Sequence, residues 1–140
     1  MNPLMHSMAS RLLAGMLAAI SALHLYWAAG GHWGIEAAIP RVGGKTLFQP
    51  GPAATAAVAF LLAIAAAGVL TPFDPWLKKQ FLRAMALVFA LRAIGEFHYV
   101  GFFQQASDSQ FAYWDTRLFS PLCVLLAMMA AVASLDLDRS

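Results

Sequence analysis

Apolar residues run almost unbroken through four stretches of the chain, 12–29, 53–70, 81–103 and 118–135, while Gly, Pro and most charged residues gather between them. At about 1.5 Å per residue, each stretch is long enough to cross, or nearly cross, a bilayer core of roughly 30 Å. The punctuation fits helices. Pro52 suits the first turn of the second stretch, and Thr71-Pro72 closes it. Asp74-Pro75 has the form of an N-cap followed by a proline at the first helical position, so the third helix starts ahead of the membrane, with Trp76 at the interface. The fourth stretch sets a length problem. Counted from Pro121 it spans only about 22 Å, and from Asp115 about 31 Å. Asp115 or Thr116 is therefore expected as the cap, with Pro121 as an internal kink. Residues 35–39 suit a short helical turn lying on the membrane. The expected fold class is all-α: an integral membrane four-helix bundle forming one domain over 1–140, with helices at about 12–29, 53–70, 81–103 and 115–135.

Composition sharpens this picture. The chain has 140 residues, 61% hydrophobic and 11% charged, against roughly 25% charged in soluble domains. Lipid must therefore be the solvent for much of the surface. The formal charge of +2 is too small and too scattered for a nucleic-acid surface. The single cysteine, Cys123, rules out an intrachain disulfide and a Cys-based metal cluster, and reads as a small hydrophobe. The first thirty residues share features with a signal peptide, since Arg11 precedes an apolar run ending at Ala28 and Ala29. The length of that run, and His24, Tyr26 and Trp27 at its end, fit a retained helix better.

With four crossings, Arg11, Lys78, Lys79, Arg83 and Arg139 fall on one side, and Arg41, Lys45 and Arg117 on the other. That excess makes the first side cytoplasmic, with both termini inside, as in a multi-pass protein of a bacterial cytoplasmic (inner) membrane.

The unusual residues then collect at the opposite, outer end. The first helix ends there with His24, Tyr26 and Trp27. The third ends there with Glu96, His98 and Tyr99, with Arg92 a turn deeper. The fourth begins there with Trp114, Asp115 and Arg117. Aromatic belts explain the tryptophans singly but not Arg92, Glu96 or His24, which lie deeper. On a continuous helix Arg92, Glu96 and Tyr99 share one face, and Arg92 and Glu96 stand four residues apart, close enough to pair. His98 points about 120° or more from that face. On the first helix Ala14, Ser21 and Ala28 recur every seven residues, a spacing that marks a packing seam, and place His24 against the bundle. Its ring then needs a partner: Glu96, Asp115 or a backbone carbonyl. Asp115 has two readings, a helix cap or a second carboxylate shared with Arg92 and Glu96.

The segments LHLYWAAGGHWGIEAAIP (23–40), LRAIGEFHYVGFF (91–103) and FAYWDTRLFSPLCVLLA (111–127) together resemble the bacterial four-helix membrane family known as domain of unknown function 3995. In that family position 96 is often Asp or Glu and position 98 often Arg. Glu96 fits and His98 departs. The resemblance implies the fold and the membrane location and supplies no reaction.

Three functional readings follow from the residues. The first is a site for a small polar or lipid-like ligand at the outer face, built from His24, Tyr26, Trp27, Arg92, Glu96, Tyr99, Trp114 and Asp115. A lid would come from the loop around Gly43-Gly44, and Glu96 and His24 are candidates for proton transfer; whether any reaction is catalysed is left open. The second is structural, an ion pair that fixes helix register in an assembly. The third is a small transporter working as a homo-oligomer, which the apolar inner half argues against. His24 and His98 lie at similar depth, as a haem between two helices would require, but phase turns His98 away, and no metal or cofactor is expected.

Overall fold

The computed structural model describes residues 3–43, 45–46, 49–95, 101 and 110–137. Over these the chain is almost wholly helical. In order come α1 (Pro3–Ala28), a single turn α2 (Ile35–Ala38), a hairpin of β1 (Arg41–Val42) and β2 (Lys45–Thr46), then α3 (Pro52–Leu70), α4 (Pro75–Ile94), α5 (Gln110–Trp114), a π-helical turn (Asp115–Phe119) and α6 (Ser120–Asp136). The hairpin is antiparallel, with Arg41 opposite Thr46, and Gly43 supplies the positive φ of its turn.

The helix ends follow from local chemistry. α3 opens on Pro52 after Gly51. It closes at Leu70 because Pro72 holds Thr71 in the extended region, while the Thr71 amide and hydroxyl both donate to the Ala67 carbonyl at 2.9 Å. α4 opens on Pro75, and the Asp74 carboxylate accepts from the Leu77 N–H at 3.0 Å.

Two boundaries differ from the sequence expectation. The third helix ends at Ile94, well before 103, because Gly95 takes φ 77 and ψ −167, a conformation that breaks the helix and suits only glycine. The phase argument that set Glu96 and Tyr99 on the face of Arg92 does not carry across Gly95, and both residues lie outside the described ones. The last helix starts at Gln110, so Asp115 is not its cap but lies inside it. Pro121 has no N–H, and in a regular α-turn its ring would collide with the Arg117 carbonyl. The turn before it is widened instead: the Ser120 N–H donates to the Asp115 carbonyl, five residues back.

α1 lies along α3 and α4 along α6; α1 also meets α6, whereas α3 and α4 barely touch. Leu13, Leu17, Leu82 and Leu126 are at most 2% exposed. With Val69, Met85 and Ala130 they belong to one apolar cluster drawn from all four long helices. The small-residue seam of α1 does what its spacing suggests, for Ala14 and Ser21 are buried and the Ser21 hydroxyl donates to the Ala59 carbonyl of α3 at 2.7 Å. The outside is apolar too: Leu12, Leu61, Ile64, Val88, Leu125 and Met128 are all exposed.

Three segments, Met8–Ala28, Pro52–Leu70 and Gln110–Leu135, are long and apolar enough to cross a membrane. The chain is therefore a helical protein of membrane-spanning character. The expectation of four such segments is met in three. α4 is diluted by Lys78, Lys79, Arg83 and Arg92.

Leu17→Ala should cost about 2–5 kcal/mol through loss of burial and the cavity it leaves. Leu61→Ala, at a side chain 66% exposed, should cost less than about 0.5 kcal/mol. Circular dichroism during titration of the purified protein from mild detergent into dodecyl sulfate measures both.

Candidate functional site

The strongest polar contact joins the ends of two helices. Arg92, in the last turn of α4, donates through Nη2 to Asp115 Oδ1 at 2.7 Å. The other carboxylate oxygen, Oδ2, accepts the backbone N–H of Gly101 at 2.6 Å. Asp115 is wholly buried, and the Arg92 side chain is 35% exposed. The π-turn gives the carboxylate its place, and the C-terminal end of a helix is electrostatically the right end for a guanidinium. Gly101 is required by its φ of 89 and because a side chain there would overlap the Ile94 carbonyl and the Gly95 backbone. One carboxylate thus ties the end of α4, the segment at Gly101 and the π-turn together. Arg92 Nη1 and the Ser120 hydroxyl are buried with no hydrogen-bond partner among the described residues.

A second feature lies where the C-terminal end of α1, the loop after it, α2 and the start of α3 converge. It is a cavity of about 310 Å³ whose lining includes His24, Trp27, Ile35, Ile39, Pro52 and Thr55. The loop is folded back onto α1 by its aromatics. Trp27 Nε1–H donates to the Trp33 carbonyl at 2.8 Å, and the Trp33 N–H donates to the Tyr26 hydroxyl at 3.3 Å. Gly31 lies beneath the Tyr26 ring, where any Cβ would collide with it. His24 Nδ1 is 2.8 Å from the Ile20 carbonyl, and its ring meets Trp27 edge-on with 5.2 Å between centroids. A carbonyl only accepts, so Nδ1 carries the proton.

The residues expected to form one site therefore divide. Arg92 and Asp115 meet each other. His24 and Trp27 meet at the cavity, and the partner of His24 is the backbone carbonyl among the three candidates considered. Tyr26 clamps the loop and is not in the cavity lining. Trp114 is partly exposed and packs edge-on against Tyr113. Glu96 and Tyr99, like His98, lie outside the described residues, as does Gly44 of the expected lid. The reading of Asp115 as a helix cap is overturned, because the helix begins at Gln110 and both carboxylate oxygens are taken by Arg92 and Gly101. The two features are linked through α2. Ile35 and Ala38 face the cavity while α2 packs on α5, which runs straight into Asp115.

Sequence reasoning missed Gly101, Ser120 and Thr55. Gly101 carried a signal in its pairing with Gly95, since two glycines flanking the end of an apolar helix mark backbone that must turn and approach closely. Thr55 and Ser120 carried none, being small hydroxyl residues inside apolar helices. The contact of Arg117 with the Tyr113 ring, 3.9 Å from its centroid, also went unread.

A model of the family described as protein of unknown function (DUF3995) matches residues 17–130, a span that holds both the ion pair and the cavity. No curated protein matches the chain. No solved structure matches it either.

Asp115→Ala should destabilise the protein by about 3–5 kcal/mol, since it strands a guanidinium and an amide at a buried place. The double variant Arg92→Met/Asp115→Leu should recover most of that loss, because apolar side chains of similar size need no partners. Dodecyl sulfate unfolding of the three proteins side by side checks the order.

Proposed function

The chain belongs to this family of unknown function, and we propose that it is a multi-pass protein of a bacterial inner membrane that holds a small, largely apolar ligand in the cavity beneath its first loop. The observation that carries this reading is the cavity itself: about 310 Å³, walled mainly by apolar side chains, with His24 among them. Ligand pockets are typically concave, mostly apolar and supplied with few polar groups, at volumes of roughly 300–1,000 Å³.

In this reading α4 is the fourth span of a four-helix bundle. Leu87, Val88, Leu91 and Ile94 on it are exposed and continue the apolar girdle of the other helices. Arg92 is tolerable at that depth because a buried carboxylate neutralises it. The excess of cations on Arg11, Lys78, Lys79, Arg83 and Arg139 over Arg41, Lys45 and Arg117 supports an extracytoplasmic cavity in this reading.

The Arg92–Asp115 pair takes the structural role. Each oxygen of Asp115 takes one bond, from Arg92 and from Gly101, which supports a role in fixing how α4 meets the last helix. Transport is the weaker reading, since the buried polar residues among those described are Ser21, Asp115, Ser120 and Ser134, and Asp115 is the one charged group of that set.

A medium-chain alkyl diazirine, photolysed with the protein in nanodiscs, should label residues 24–39 and 49–55 in preference to the lipid-facing Leu61 and Val88. Ala38→Trp, which fills the cavity, should cut that labelling about tenfold. Labelling that follows lipid exposure alone, unchanged by Ala38→Trp, defeats the ligand reading. Orientation is checked in a Cys123→Ala background, where a membrane-impermeant thiol reagent added to intact cells should modify Lys45→Cys and spare Phe73→Cys.

A further inference from the structure

We infer that the cavity selects its ligand by size: it takes a compact apolar molecule of about two fused rings in bulk and excludes the acyl chains of bilayer lipids. This rests on the ligand reading above and deepens it. Depth and closure decide the matter. The C-terminal end of α1 and the N-terminal end of α3 meet at the cavity, so the two helices run antiparallel beneath it. α1 lines it at His24 and Trp27, and α3 at Pro52 and Thr55. Each pair spans a single helical turn, about 5 Å of rise. One turn further down, the Ser21 hydroxyl of α1 donates to the Ala59 carbonyl of α3 at 2.7 Å. Ser21 is 4% exposed and Ala59 0%, so the helices close on each other there. Leu17 and Leu13, one and two turns below on α1, belong to the apolar core cluster and continue the closure.

The cavity is therefore a shallow cup with a fixed floor. Ile35, Ala38 and Ile39 of the loop side cover it, and the exposed His32 and Gln49 mark where it opens. Its volume of about 310 Å³ is roughly twice that of the engineered 150 Å³ apolar cavity that binds benzene. A molecule of two fused rings fills such a space and keeps its surface against Ile35, Ile39, Pro50 and Pro52. An acyl chain of a bilayer lipid reaches across one leaflet, roughly 15 Å or half of the hydrocarbon core. In a cup one turn deep, closed below by Ser21 and Ala59, most of that length stays outside and gains no burial over the surrounding lipid.

The test uses three hydrocarbon photoprobes bearing the same diazirine: a single ring, two fused rings and a sixteen-carbon chain. Each is photolysed with the full chain in nanodiscs, and label is mapped by mass spectrometry and scaled to that on the lipid-facing Leu61 and Val88. On this scale the fused-ring probe should label residues 24–39 and 49–55 about tenfold more than the sixteen-carbon chain. Thr55→Leu, which raises the floor, should bring the fused-ring probe down towards the long chain and leave the single ring in place. Equal scaled labelling by the fused rings and the long chain, in the wild-type chain, overturns the size selection while leaving a ligand cavity in place. Fused-ring labelling that Thr55→Leu does not change overturns it in the same way. Failure of all three probes to label the cavity above the lipid-facing background removes the ligand reading and this inference together. The comparison among probes on the wild-type chain stands whether or not Thr55→Leu folds.

Discussion

The buried carboxylate of Asp115 sets the terms for half of the molecule. A charge with no exposure must be matched by a cation or by amide donors, and here it has one of each, on opposite oxygens. The cation comes from the last turn of α4, and the amide from Gly101. Meeting both requires that α4 stop where it does and that the chain at Gly101 press against Ile94 and Gly95 so closely that no side chain fits. It also requires that the final helix open by one residue at the π-turn. Three irregularities that look unrelated along the sequence, at Gly95, Gly101 and ahead of Pro121, are parts of a single electrostatic arrangement.

The same constraint separates rigidity from recognition. Asp115 meets Arg92 through one oxygen and Gly101 through the other, so that region ties the end of α4, the Gly101 segment and the π-turn together. The cavity lies on the other face of α2, under a loop that is held by aromatic side chains instead of charges. α2 touches both regions, since it lines the cavity and packs on α5. The loop is held to α1 by two hydrogen bonds through Tyr26 and Trp27, whereas separating Arg92 from Asp115 would leave a buried carboxylate without its cation. The sturdier contact thus holds the frame and the softer one covers the cavity.

Much of this was readable before any coordinates. The helical segments, the Asp74-Pro75 start, the small-residue seam through Ser21, and the importance of Arg92 and Asp115 all follow from spacing and from the cost of charge in an apolar stretch. The partnership of Arg92 with Asp115 was readable only as one of two readings of that carboxylate. Glu96 stands four residues away in sequence, and local periodicity always favours such a neighbour; Asp115 is twenty-three residues distant. The positive φ of Gly95 ends α4 at Ile94, so helical phase does not carry past it, and Glu96 itself lies outside the described residues. The division of the outer residues into two regions was equally hidden, because depth along a helix places residues at one level without saying which side of α2 they occupy.

The chemistry of the cavity wall follows from a rule that applies to any helical protein in lipid. Every N–H removed from water needs an internal acceptor, so donors are consumed by the fold itself. Oxygen acceptors carry two lone pairs and are rarely exhausted by one hydrogen bond. A cavity built from such elements is left rich in acceptors and poor in donors unless a side chain is added to supply one. In this chain the lining side chains that carry polar nitrogen are His24, Trp27, His32 and Gln49, and the Trp27 Nε1–H and the His24 Nδ1 already meet backbone carbonyls. Arg92 is not among the residues of that lining, and its Nη2 is held by Asp115.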